Sequence, residues 1–240
     1  MKSLHPNMTC SARRGFTLVE LLVTITIVIT LAGIIFSVTR KVRQSALASG
    51  RLADMRQSGT LLLGIASENN GRCSYFAGGN SAWNFRPYLM IRNQLGLTGD
   101  GIVEIMHWDS GILPPDSMHW TCRAVNFQNV THPDGTTTKW TLESVKNSDG
   151  SSANLKSISL VSVAKPGSYP LLIDSSSASG KEIFRISENT GDCVGLRESG
   201  KANAFLFDGS ARLMDKSDLK NAGFKKAYDN SKTPPVSVNL

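Results

Sequence analysis

No Cys-x-x-Cys pair occurs in this chain, and its four cysteines are too few to staple 240 residues together. Both facts exclude a disulfide scaffold and remove the strong zinc and thioredoxin-like signals. Acids are in short supply: 19 Asp and Glu stand against 26 Lys and Arg, for a formal net charge of +7. Such an excess raises nucleic acid as a partner. The cations are scattered, however, and no run of them is interleaved with aromatics, so no nucleic-acid partner is expected. His-Glu-x-x-His, Gly-x-Ser-x-Gly and a Walker loop are all missing, which leaves no catalytic motif to build an enzyme on. A mean hydropathy of -0.12 excludes a polytopic membrane protein but not a single span. What is present is a globular composition, 40% hydrophobic and 19% charged, of a size for one domain with an appendage.

The appendage is N-terminal. From Phe16 to Val38 the chain is apolar but for one charge, Glu20. As a helix at 1.5 Å per residue this run is about 35 Å long, enough to cross a bilayer core. Residues 1–15 carry Lys2, Arg13 and Arg14 and no acid, while Arg40, Lys41 and Arg43 follow the run, so the flanking charges balance. Three features oppose a secretory signal peptide: the run is too long, no Ala-x-Ala site closes it, and a carboxylate sits inside it. A carboxylate in hydrocarbon costs on the order of 2.5–3.5 kcal/mol, so Glu20 calls for a function and a partner.

The string Arg13-Arg14-Gly15-Phe16-Thr17-Leu18-Val19-Glu20, followed by the long apolar run, resembles the N-terminus of type IV pilins and of the pseudopilins of type II secretion systems. The resemblance implies that a prepilin peptidase cuts after Gly15 and that the new N-terminal residue, Phe16, is N-methylated. It also makes Glu20, the fifth mature residue, the assembly residue. The chemistry fits the spacing. Cleavage creates a cationic amine on Phe16, and the glutamate of one subunit meets the amine of its neighbour, offsetting a desolvation that neither charge tolerates alone.

No proline occurs between Phe16 and Ala66, and Leu52, Met55, Gly59, Leu62 and Ala66 recur at helical spacing. One helix of about 50 residues is expected, stopping at Glu68-Asn69-Asn70-Gly71, with two helices broken between Ser37 and Ser49 as the alternative. Five segments follow: a basic leader at 1–15, a membrane-spanning and assembly half of the helix at 16–38, an amphipathic half at 39–70, a globular head at 71–228 and a loose tail at 229–240. In the head, Ile158–Val163, Tyr169–Ile173, Glu182–Ile186, Ala204–Phe207 and Ala211–Met214 read as strands, with a turn at Asp208-Gly209. Thr131–Thr138 and Asn147–Asn154 read as loops. The fold class is α+β, with the helix's second half packed on a small antiparallel sheet.

The C-terminal half resembles the pseudopilin-like group named for a His-x9-Asp-Gly motif. Pro166-Gly167-Ser168 leading into Leu171-Leu172-Ile173-Asp174 matches its Pro-Ser strand, Asn69-Asn70-Gly71 its helix exit, and Asp208-Gly209 the end of its motif. Glu198 stands where the histidine is expected, Ser210 where a second histidine follows Asp-Gly, and Arg123 where a proline follows Cys122. The alternative for Asp208-Gly209 is a turn alone. The resemblance also admits a calcium ion among Asp174, Asp192, Glu198 and Asp208, although no EF-hand loop is present; otherwise no cofactor is expected. His107, Asp109, His119 and Cys122 lie close in sequence but match no closed zinc pattern. Because Cys10 leaves with the leader, Cys73, Cys122 and Cys193 allow one disulfide and one free thiol. Their pairing stays open, with Cys122 to Cys193 preferred.

Two functions remain. The first is a non-enzymatic pilus or pseudopilus subunit whose partners are the prepilin peptidase and methyltransferase, sister subunits and an inner-membrane assembly platform. It would be a single-pass inner-membrane protein with a periplasmic head. The second, motivated by Trp83, Trp108, Trp120 and Trp140, is an anchored periplasmic enzyme or carbohydrate-binding module.

Overall fold

The computed structural model describes residues 16–79, 86–96, 106, 122–132, 134–146, 150, 152–186 and 191–240. Helix α1 runs unbroken over Leu18–Glu68, so the single long helix is observed and the broken alternative is not. Its start and stop have local causes. Thr17 caps the first turn, and at the other end Asn70 and Gly71 take positive φ of 56° and 70°. The amide of Gly71 then reaches back to the Ala66 carbonyl at 2.9 Å and closes the helix. The chain leaves directly into strand β1, Arg72–Gly79, and later enters the short helix α2, Pro87–Gln94.

The remaining strands follow as β2 (Ala124–Val125), β3 (Val130–Thr131), β4 (Thr137–Thr138), β5 (Thr141–Lys146), β6 (Ser152–Ser159), β7 (Pro170–Ile173), β8 (Ser175–Ser176), β9 (Cys193–Leu196), β10 (Ala202–Leu206) and β11 (Ala211–Met214). Helix α3 (Lys216–Asn221), β12 (Lys226–Asp229) and β13 (Val236–Asn239) complete the order. They form sheets β1-β6-β5, β11-β10-β7-β2 and β13-β12-β9-β8, with the ribbon β3-β4. Pairing is antiparallel except between β12 and β9, which run parallel. The class is therefore α+β: a long N-terminal helix followed by antiparallel sheets.

The chain divides into two compact units, 1–47 and 48–240. In the first, the large apolar side chains of α1, from Leu18 to Leu47, are exposed. The second holds the core. Met55, Gly59, Leu62 and Ala66 are buried as their spacing predicts, joined by Ser58 and Ile65, and Leu52 is half-buried. This face packs with Tyr75, Trp140, Leu155, Tyr169, Leu171 and Phe205. Trp140 donates its Nε1–H to the Tyr169 hydroxyl at 2.8 Å and meets the Phe127 ring edge-on at 5.1 Å. A second cluster lies under β9, β10 and α3, around Val194, Leu206, Met214, Leu219 and Phe224.

Several expectations change. The tail is not loose: Val236–Asn239 is strand β13, in register with β12 from Lys226↔Asn239 to Asp229↔Val236. Polar residues conceal it, because only every second side chain of an edge strand needs an apolar neighbour. The strand expected at Ile158–Val163 lies earlier, as β6, and the chain turns through a 3-10 segment at Leu160–Ser162. Glu182–Ile186 forms no ladder beyond a bridge from Arg185 to Val125. The loop expected at Thr131–Thr138 is closed by the ribbon β3-β4, and Asp134 caps its turn by accepting from the Thr136 amide and hydroxyl.

Candidate functional site

The N-terminal site is built by the first turn of α1. Thr17 is non-helical and precedes the first helical residue, Leu18; its carbonyl accepts the Leu21 amide at 3.2 Å. The Thr17 hydroxyl accepts the Glu20 amide at 3.2 Å, while Glu20 Oε2 accepts from the Thr17 amide at 2.9 Å and from its hydroxyl at 2.8 Å. This is a capping box. It satisfies two amides that a helix start leaves without intrahelical partners, and it places a carboxylate where the helix dipole favours one. The signal is legible in the sequence as Thr-x-x-Glu, and it gives Glu20 a local duty beside the expected one in assembly.

The three hydrogen bonds of Glu20 are internal to this turn, and the two it accepts from Thr17 both fall on Oε2. Phe16, 76% exposed, stands four residues ahead of Glu20. The arrangement therefore offers a pre-oriented carboxylate at one end of an exposed apolar helix. The cleavage position, Gly15, lies outside the described residues.

The residues of the second motif are not brought together. Glu198 closes a tight reversal with Lys201, exchanging both backbone hydrogen bonds at 3.0 Å across Ser199 and Gly200, and this reversal leads into β10. Asp208 lies at the opposite end of β10, where its Oδ1 accepts from the Ser210 amide at 2.9 Å and hydroxyl at 2.7 Å. The turn between β10 and β11 is thus held by Asp208 and Gly209. Glu198 instead receives Arg51 of α1, Nη1 to Oε1 at 2.5 Å.

Arg123 had marked a departure from the motif. It is fully buried, 3.8 Å from the fully buried Asp174, and its Nη2 donates to the Arg51 carbonyl at 3.0 Å. Asp174 Oδ2 also accepts from the amide and side chain of Asn203. Burial pushes the Asp174 carboxyl up, against the opposing pull of Arg123 and Asn203. No local pattern announces a buried arginine, and that pairing was missed. Asp174, Glu198 and Asp208 thus each serve a different neighbour, and no group of three metal-ligating side chains occurs among the described residues.

The expected Cys122–Cys193 disulfide does not form. Cys73, Cys122 and Cys193 are free and buried. Cys122 leads into β2, which pairs with β7, whereas Cys193 opens β9 in a different sheet, opposite Ser176. Burial pushes the Cys73 thiol up to about 11 and Cys122 well above its ordinary value, so neither is a ready nucleophile. His107, Asp109 and His119 lie outside the described residues, as do Trp83, Trp108 and Trp120. Trp140, the remaining tryptophan, is buried in the core and presents no open face.

Comparison with known proteins finds one likeness. Residues 10–36 match the family model described as the prokaryotic N-terminal methylation motif. Neither the curated proteins nor the solved structures contain a match to the chain. The motif covers the basic flank, Gly15, Phe16, the capping box and the first part of α1, a helix long and apolar enough to cross a membrane. In this N-terminal segment the chain is prepilin-like, with a methylation motif at the head of a transmembrane-type helix.

Proposed function

We propose that the chain is a non-enzymatic structural subunit of a type IV pilus or of a type II secretion-like pseudopilus, of the His-x9-Asp-Gly group. It is cut after Gly15, N-methylated at Phe16 and polymerised through Glu20. Before assembly it sits in the bacterial inner membrane as a single-pass protein with residues 48–240 in the periplasm. The observation that carries the reading is the carboxylate of Glu20, held in the first turn of an exposed apolar helix within the matched methylation motif. In a filament the Phe16 amine of one subunit neutralises the Glu20 of another, and the apolar faces of adjacent helices replace lipid.

The test is the intact mass of the protein from its native membranes. Cleavage after Gly15 removes Lys2, Arg13 and Arg14 and no acid, so the formal charge falls by three, from +7 to +4. A mass for residues 16–240 plus one methyl group is expected. A chain that keeps Met1, or one cut beyond Val38, would overturn the proposal.

A further inference from the structure

Beyond Glu20, the next acid along α1 is Asp54. Between them lie four cations: Arg40, Lys41 and Arg43 directly after the apolar run, and Arg51, which pairs with Glu198. Lys41 and Arg43 are exposed, and no ion pair among the described residues engages either of them. Phe16–Val38 as a helix is about 35 Å long against a hydrocarbon core of about 30 Å, which puts residues 40–43 in the adjoining headgroup layer. Successive helix positions turn by about 100°, so residues 40, 41 and 43 cover roughly half of the helix circumference rather than one line. A broad cationic collar at that depth suits many small anions in a plane better than one facing helix.

The charge has a second consequence. In the precursor, three cations precede the span and three follow it, whereas removal of 1–15 leaves only the Phe16 amine on the cut side. Three cations on the far side of a span run against the usual distribution, in which Lys and Arg collect on the cytoplasmic side. Such a placement calls for a local anionic partner.

We propose that Arg40, Lys41 and Arg43 bind anionic phospholipid headgroups at the outer face of the membrane, and that this collar holds the exit end of the helix in place once cleavage has freed the other end. This rests on the single-span reading proposed above. Long Lys and Arg side chains reach from a helix to the phosphate layer with their stems along the acyl chains. Each cation near an anionic surface raises association roughly fivefold at low salt, and the gain falls within a Debye length as salt rises.

The experiment reconstitutes the full-length processed protein into phosphatidylcholine vesicles carrying a trace of spin-labelled phosphatidylglycerol or spin-labelled phosphatidylcholine. It compares the native chain with the Arg40→Gln, Lys41→Gln, Arg43→Gln triple variant. Resistance to carbonate extraction is measured first for both. The expected result is equal insertion, a several-fold preference of the native chain for the labelled anionic lipid that shrinks in high salt, and a ratio near one for the variant. Equal lipid ratios for two fully inserted proteins would overturn the collar while leaving the span intact. A native chain extracted by carbonate would instead remove the span, and the collar with it. If the variant keeps the native lipid ratio but is lost from sheared filaments, the cations belong to a subunit contact and the proposal fails.

Discussion

At the scale of single residues, Glu20 has two separable duties. One is local, as the return half of the capping box with Thr17; the other is the proposed pairing with a neighbour's amine. Glutamine can preserve the first and cannot perform the second, because a capping box accepts Glu or Gln while an ion pair needs the charge. We therefore expect Glu20→Gln to insert and be cleaved normally yet be missing from sheared filaments. Glu20→Ala should show the same assembly loss plus a weakened helix start, about 1 kcal/mol for a lost cap. Normal filament yield from a processed Glu20→Gln protein would remove the charge from assembly. In the head, residues of the second motif differ by burial. Asp174→Ala removes the buried carboxylate that faces the buried Arg123 and should cost about 3–5 kcal/mol, whereas Glu198→Gln weakens a partly exposed pair and should cost about 1 kcal/mol or less. Denaturant midpoints of the two variants read the difference, and equal shifts would contradict the burial argument.

At the scale of elements, α1 was the most legible part, because its signals are local: an apolar run without proline, a 3-4-3-4 stripe and an Asn-Asn-Gly exit. Strands β10 and β11 were legible for the same reason, as apolar runs on either side of an Asp-Gly turn. Strands β1, β5, β6, β12 and β13 were not foreseen at their observed positions. Ser152–Ser159, for example, gains its strand character from lying between β1 and β5, with Leu155 and Ile158 buried and Ser74 bonding to Ser157 at 2.8 Å. Sequence patterns also cannot say which helical glycine matters. A Cβ on Gly59 would lie 2.0 Å from Phe205 Cδ1, so the Phe205 ring of β10 packs directly on the α1 backbone there, while a Cβ on Gly64 meets nothing within 4 Å. Both substitutions gain about 1 kcal/mol of helix propensity. Gly64→Ala should therefore stabilise by about 0.5–1 kcal/mol. Gly59→Ala should destabilise by about 1–3 kcal/mol, since Phe205 is fully buried and any displacement overpacks the core. Thermal unfolding of the pair decides it, and a stabilising Gly59→Ala would show that the Phe205 ring has room to move.

At the scale of the whole chain, the two compact units differ in what they need from their surroundings. Residues up to Leu47 bury none of the large apolar side chains of α1, and no core residue among those described precedes Met55. A run of exposed Leu, Ile and Val this long demands lipid or sister helices, because water imposes a penalty of about 25 cal/mol for each Å² of apolar surface. The second unit carries its own core, with the stripe from Leu52 to Ala66 covering Phe205, Leu155 and Tyr75. It also keeps the Arg51–Glu198 pair and the Arg123 bond to the Arg51 carbonyl, which fasten the helix just inside the boundary. A chain beginning at Ala48 should consequently be soluble and unfold in one cooperative transition. A chain beginning at Thr60 should not, because it loses Met55, Ser58 and Gly59 from the buried face and takes from the buried Arg123 the Arg51 carbonyl to which it donates. Far-ultraviolet circular dichroism and a denaturant titration of the two truncations test this. A cooperative fold in the shorter chain would mean that the sheets form their core without the helix, and α1 would then be an appendage along its whole length rather than part of the head.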